Sequence, residues 1–525
     1  MSEPAGTTTA APGDRANLAD LVRTAAGRVG DRPALRQPVP AGSGGTGGTG
    51  GTAVQLTWGE LDRDVDAMAV GLRREMHLQP GDRVALSLSN TVGFVTSYFG
   101  ALRAGLVVVP LNTGYTAPEV AGLLGDAGAK AVICEDATTA VVEEAVAGTH
   151  RVVVDPAGLD SVLAGGRRAG PVEAGRGGED LAVLMFTSGT SGRPRGAMLS
   201  HRALLANLHQ CGALEPPPMR ADDVVLLVLP LFHVYGLQAG LGMVAATAAT
   251  GVLVDRFDPA GTLGVVRDEG VTNIPGAPPM YVAWSVQPGL EALGGVRLLA
   301  SGASSLPPDA AARVQAATGL TVHEGYGLTE AAPVVATTLA SPGALAGSIG
   351  RPLPGVETRL LDEQGNPVDE GDPGEIWVRG DNLFSGYWPD GVDGPADDGW
   401  WATGDVAITD ERGDLVIVDR RKELVLVSGF NVYPREVEDA LVQHPGVAEA
   451  AVVGVPDPQT GEAVHAFVVP VDGNTLTTLT PDDVLAHAAT RLARFKRPST
   501  VEVVDELPHS VTGKVAKGRL REALE

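Results

Sequence analysis

Short apolar runs separated by segments of helical period set the first constraint on this chain. Val84–Leu88, Leu106–Pro110, Ala131–Cys134 and Leu181–Phe186 read as strands, and Val95–Ala104 and Pro118–Ala127 as helices. Such alternation predicts α/β architecture, with parallel sheets covered on both faces. It resumes at Leu181 and runs to about Val335. From about 340 to 419 short alternating segments with Gly, Pro and Asp turns predict a small β-rich, barrel-like subdomain. Residues 420–525 have a βαβ-like pattern of their own, so a boundary is expected near Asp419–Arg420. Residues 1–15 read as a disordered tail, and Ala41–Thr52, almost all Gly, Ser and Thr, as a flexible loop insertion.

The 525 residues suffice for more than one domain. A net charge of −25 excludes a binder of phosphate backbones, so no nucleic-acid partner is expected. Cys134 and Cys211 are far apart and lack CxxC spacing. That argues against a disulfide framework or a zinc site and fits a reducing cytoplasm. The N-terminus lacks a secretory pattern. Leu237–Val254 is uncharged but broken by Gln238, glycines and threonines, and is expected as a buried helix running into a strand rather than a membrane span.

The run Phe186-Thr187-Ser188-Gly189-Thr190-Ser191-Gly192-Arg193-Pro194-Arg195-Gly196 follows an expected strand and precedes a helix-like segment from Ser200. Its glycines, hydroxyls and arginines suit a phosphate, since small residues let the backbone N–H groups approach closely. It is not a Walker A loop, because no Gly-Lys-Ser/Thr follows at the required spacing. On composition alone it reads equally as a solvated turn.

The string Thr-Ser-Gly-Thr-Ser-Gly-x-Pro-Arg-Gly resembles the phosphate loop of the adenylate-forming superfamily, which includes acyl-CoA synthetases, peptide-synthetase adenylation domains and beetle luciferases. Six further segments resemble that family's motifs in the family's order. By this resemblance Thr187, Ser188, Gly189, Thr190, Ser191, Gly192 and Arg195 hold ATP phosphates. Leu229–Leu237 supplies His233, which gates the carboxylate, and Tyr235, which lines the acyl pocket together with Gly327. A lone His in an apolar stretch is otherwise more commonly a satisfied structural residue. Ser301, Gly302 and Ala303 pack on adenine and Tyr326 stacks on it. Thr329 contacts the α-phosphate, while Glu330, with Thr190, provides oxygens for Mg²⁺. Asp405 and Arg420 take the ribose, Lys422 is the hinge of a mobile C-terminal domain, and Gly429 borders the CoA tunnel. Lys514 is the mobile catalytic lysine. Only five of the 39 basic residues are lysines, so a retained Lys points to a need for the compact ammonium.

The resemblance covers about Leu18 to Leu524 and implies a large N-terminal domain, 16–419, of two α/β sheet subdomains plus the β-rich part, and a small mobile α+β domain, 420–525. It implies an ATP-dependent carboxylic acid–CoA ligase using Mg²⁺ and forming an acyl-adenylate, with a homodimer common in the family. Glu330–Val335 and Gly347–Gly355 look most like fatty-acyl-CoA ligases, with aryl-acid ligases such as 4-coumarate-CoA ligase close behind. No acidic residue lies between Asp223 and Asp255, so an α-amino acid's ammonium would be left unpaired. Alternatives are an adenylating enzyme with a carrier-protein thiol, amine or other acceptor, a luciferase-type oxidoreductase, and a non-catalytic homologue. Two departures stand out: the loop ends Pro194-Arg195-Gly196 where the family usually has Pro-Lys-Gly, and the 41–52 insert has no counterpart.

Overall fold

Near-continuous runs of Val, Ile and Leu make the central strands. Val107–Pro110, Ala131–Cys134 and Thr250–Leu253 are buried along their whole length, as expected where helices cover both faces of a parallel sheet. The computed structural model describes residues 16–38, 53–167, 172, 175–187, 194–345, 347–420, 423–428, 430–471, 479–509 and 514–524. The expected tail 1–15, the 41–52 insert, the loop residues Ser188, Gly189, Thr190, Ser191, Gly192 and Arg193, and Lys422 and Gly429 lie outside the described residues. The chain packs as two units. The first is Met1–Gly343 with Pro352–Glu357 and Arg379–Trp400, and the second is Ala344–Arg351, Thr358–Val378 and Trp401–Glu525. The β-rich stretch 340–419 is therefore shared between them.

In the first unit one sheet runs Val152–Val154, Ala131–Cys134, Arg83–Ser87, Val107–Pro110, Leu181–Thr187, Arg195–Ser200. All neighbours are parallel except the last pair. A larger sheet has a parallel centre in the order Pro33–Gln37, Thr250–Leu253, Val224–Leu227, Asn273–Gly276, Leu298–Ser301, Val322–Gly327. Antiparallel Val54–Thr57 and Val334–Thr337 flank it. Leu226, Ile274, Leu299, Tyr281 and Trp284 share one buried cluster on this sheet.

Two local outcomes bear on the site. Arg195–Ser200 forms an antiparallel strand against Leu181–Thr187, so the two strands that flank the glycine-rich run in the sequence are hydrogen-bonded neighbours. Ser200 then caps the helix His201–Gly212, its Oγ accepting from the Ala203 N–H at 3.1 Å. The stretch 237–254 lies within a π-helix Tyr235–Gly242, a short α-helix Met243–Thr247 and the strand Thr250–Leu253. No helix among the described residues is long and apolar enough to cross a membrane.

The second unit holds a sheet ordered Glu357–Leu361, Gly374–Arg379, Trp401–Thr409, Leu415–Arg420, and a C-terminal sheet covered by helices Pro434–Val442 and Pro481–Arg491. The mostly buried ammonium of Lys517 joins Glu423 at 2.9 Å and Glu438 at 2.8 Å, tying the last helix to the start of this C-terminal segment.

Candidate active site

Ligands of open α/β sheets bind beyond the carboxyl ends of parallel strands, where loops converge and strand backbones end. Three of four adjacent strands of the larger sheet end in the segments singled out from sequence. His233 follows Val224–Leu227, Ser301 closes Leu298–Ser301, and Tyr326 lies in the last turn of Val322–Gly327. Between them, Asn273–Gly276 leads into Ala277, and the Tyr281 hydroxyl donates to the Ala300 carbonyl at 2.8 Å, joining the ends of neighbouring strands.

The His233 backbone N–H donates to the Pro230 carbonyl at 3.1 Å, and its Nδ1 accepts from the Tyr235 N–H at 3.3 Å. That contact makes Nδ1 an acceptor and orients the ring. Tyr235 opens the π-helix, a distortion that recurs at functional sites. Burial pushes its phenol well above the ordinary range. A Cβ on Gly302 would lie 3.1 Å from the Tyr235 ring, so glycine lets the expected acyl-pocket and adenine segments touch. Ala303 follows at φ +76°, a left-handed conformation that strains a residue with a Cβ by about 1 kcal/mol. The buried Ser301 Oγ has no hydrogen-bond partner among the described residues, and such a group suits a ligand that can satisfy it.

Thr329 and Glu330 form a 3₁₀ turn after the strand that carries Tyr326. Gly327 is required by close approach, since a Cβ there would stand 2.3 Å from the Pro333 carbonyl oxygen. Glu330 is 9% exposed, and its Oε1 accepts a 2.5 Å hydrogen bond from the Tyr387 hydroxyl. Burial, then the adjoining carboxylate, hold that phenol protonated far above its ordinary range. The Arg195 guanidinium lies 3.7 Å from the Tyr387 ring centroid and 2.6 Å from Asp393. Thr187 closes the other side of the hairpin base, its Oγ1 donating to the Arg195 carbonyl at 3.4 Å.

Sequence reasoning missed the parts that join these segments. Asn90, in the loop after the strand Arg83–Ser87, donates to the Leu227 and Leu229 carbonyls at 3.1 and 2.9 Å and accepts from the Leu231 N–H at 2.9 Å. It thereby pins the carboxyl end of one sheet to the His233 loop of the other. Asn382 donates to the Ala331 carbonyl at 2.8 Å. Tyr387 and Asp393 were also missed; an Asn or Tyr in a loop carries no local signal of a partner so distant in sequence.

In the second unit, Asp405 is 7% exposed and sits opposite Arg420 in an antiparallel pair. Its backbone N–H donates to Thr403 Oγ1 at 3.1 Å. The exposed Lys514 precedes Val515, which bridges to His509. Asp405, Arg420 and Lys514 all belong to this second unit.

Residues 22–388 match the family model of the AMP-binding enzyme, and 436–514 that of its C-terminal domain. The chain belongs to this family of adenylate-forming enzymes. A feruloyl-CoA synthase of Amycolatopsis sp is 39% identical over 476 residues, covering 89% of this chain and 93% of the relative. A long-chain-fatty-acid–CoA ligase of Yersinia pestis is 34% identical, covering 89% and 90%. Among solved structures, ATP-bound MatB from Rhodopseudomonas palustris superposes with a TM-score of 0.85 at 33% identity, over 97% of this chain and 99% of the other. The amide bond synthetase McbA from Marinactinospora thermotolerans gives 0.81 at 27%, over 97% and 100%.

Proposed function

We propose that this enzyme activates a fatty or aryl carboxylate. It is an ATP-dependent acid–CoA ligase of the AMP-forming kind, whose substrates are ATP, a small-molecule carboxylate and CoA. The observation that carries the reading is the convergence of His233, Ser301–Ala303 and Tyr326 at the carboxyl ends of adjacent parallel strands, with Glu330 tied to the phosphate hairpin through Tyr387. Relatives named for feruloyl and long-chain fatty acyl substrates support the two carboxylate classes.

In the first half-reaction a carboxylate oxygen attacks the α-phosphorus and pyrophosphate leaves, giving an acyl-adenylate. The segment 187–196 holds the leaving phosphates. His233 and Tyr235 orient the carboxylate, with Gly327 beside the acyl group. Ser301, Gly302, Ala303 and Tyr326 take adenine, and Asp405 and Arg420 the ribose. Thr329 contacts the α-phosphate, and Lys514 neutralises charge developing there. Positioning and charge carry such a transfer. Glu330, with Thr190, would hold Mg²⁺, which when bound would offset phosphate charge. One buried carboxylate fits an ion that takes most of its remaining oxygens from phosphates and water. In the second half-reaction the C-terminal domain turns about Lys422, Gly429 borders the tunnel, and the CoA thiolate attacks the acyl carbon to release AMP.

The cysteine usage supports a cytoplasmic enzyme, and the family resemblance a homodimer. A second reading, transfer to an amine, is favoured by the likeness to McbA. The test is AMP release from Mg·ATP over a panel of aliphatic and aryl carboxylates, with CoA, with an amine, or with neither, and products identified by mass. Acyl-CoA from one carboxylate class is the expected result. An amide formed in preference to a thioester overturns the CoA assignment.

A further inference from the structure

The segment around Tyr387 touches both the phosphate hairpin and the Glu330 turn. It runs beside the strand Arg195–Ser200: the Met198 N–H donates to the Gly386 carbonyl at 3.1 Å, the Ser385 N–H to the Met198 carbonyl at 2.9 Å, and the Trp388 N–H to the Gly196 carbonyl at 2.8 Å. At its start the Phe384 N–H donates to the Glu330 carbonyl at 2.8 Å. The backbone of one short strap thus binds two elements that the chain order separates by well over a hundred residues.

We propose that Tyr387 is a positioning residue for adenylate formation, whose hydroxyl orients the Glu330 carboxylate while its ring seats Arg195 at the base of the phosphate hairpin. This rests on the reading of Glu330 as the carboxylate that meets Mg²⁺. A donor held on Oε1 at 2.5 Å fixes the carboxylate's rotation and leaves Oε2 as the oxygen that would meet the cation. The stacked guanidinium, 3.7 Å from the ring centroid, is kept flat against the same side chain, and Asp393 at 2.6 Å sets its other end. Asp393 is 70% exposed, so that ion pair orients Arg195 more than it stabilises the fold. The arrangement also accounts for arginine where the family usually has lysine, because a planar guanidinium can stack and form the ion pair at once.

The test compares Tyr387→Phe, which keeps the ring and removes the donor, with Tyr387→Leu, which removes both. Three quantities are read on the full chain: calorimetric binding of ATP with and without Mg²⁺, carboxylate-dependent ATP–pyrophosphate exchange, and conversion of supplied acyl-adenylate by CoA. Tyr387→Phe is expected to weaken Mg·ATP binding about tenfold, the scale of one hydrogen bond to a charged group. Metal-free ATP binding and the thioester half-reaction should change less than about twofold. Tyr387→Leu should slow exchange further. Glu330→Gln is the control. If it loses Mg²⁺-dependent binding while Tyr387→Phe matches the wild type, the positioning role fails alone. Should Glu330→Gln itself bind Mg·ATP normally, the reading of Glu330 fails and the proposal with it. Equal loss of both half-reactions in Tyr387→Phe, with a lowered melting temperature, assigns Tyr387 to folding and overturns the proposal.

Discussion

Lys514 stands in a chain that writes nearly all its positive charge as arginine. An ammonium is a compact point charge that can approach the attacking carboxylate and the α-phosphate together, whereas a guanidinium spreads its charge over a plane. If that charge serves only the phosphoryl step, its removal must divide the two half-reactions. Lys514→Ala is expected to lower adenylate formation by at least about a hundredfold, on the scale of a lost transition-state charge contact. Supplied acyl-adenylate should still react with CoA at close to the normal rate. Lys422→Pro should do the reverse if Lys422 is the hinge proposed above, since a fixed φ there would stop the turn between steps and leave the first step intact. Rapid-quench measurement of each half-reaction distinguishes them, and parallel loss in both variants removes the two assignments.

Among the elements, the junction between the two sheets of the first unit depends on one amide. Asn90 is 3% exposed and makes three hydrogen bonds to the backbone at and beyond the end of the strand Val224–Leu227. Asn90→Ala leaves two carbonyls and one N–H buried without that partner, which costs about 2–4 kcal/mol. Because these groups hold the loop that carries His233, the KM for the carboxylate should rise in the same variant. Unfolding by urea and steady-state kinetics check the two effects together. A variant that loses stability but keeps its KM would show that the His233 loop holds its shape without the brace.

For the whole molecule, stability should depend on pH through a residue outside the chemistry. His201 is 1% exposed, and its Nδ1 accepts from the Leu18 N–H at 3.0 Å. Burial is the main cause of a pKa lowered to about 4. The folded chain therefore resists a proton that the unfolded chain takes up near pH 6.5. This contribution is full above that pH and is lost as pH falls toward 4, because the unfolded state binds more protons throughout the interval. Between pH 7.5 and 4.5 it amounts to about 2.5 kcal/mol. Urea midpoints for wild type and His201→Gln should converge by that difference on acidification. Parallel pH profiles would show that His201 is protonated in the folded state.

Much of the fold was legible because its signals are local. Apolar runs of strand length alternating with helical periods are dictated by backbone geometry, and they marked the strands Arg83–Ser87, Val107–Pro110, Ala131–Cys134 and Leu181–Thr187 of the smaller sheet. Arg195–Ser200 was harder: six residues with a glycine and a serine read as a lead-in to the helix, and only pairing with Leu181–Thr187 made them a strand. Asn90, Asn382 and Tyr387 were not legible at all. Their roles are hydrogen bonds to groups distant in sequence, and such bonds have no period, spacing or composition to betray them. Sequence alone determined most of the elements and the family. Tertiary structure decided which polar side chains bind those elements to one another, because that depends on the distance between atoms the chain order keeps apart.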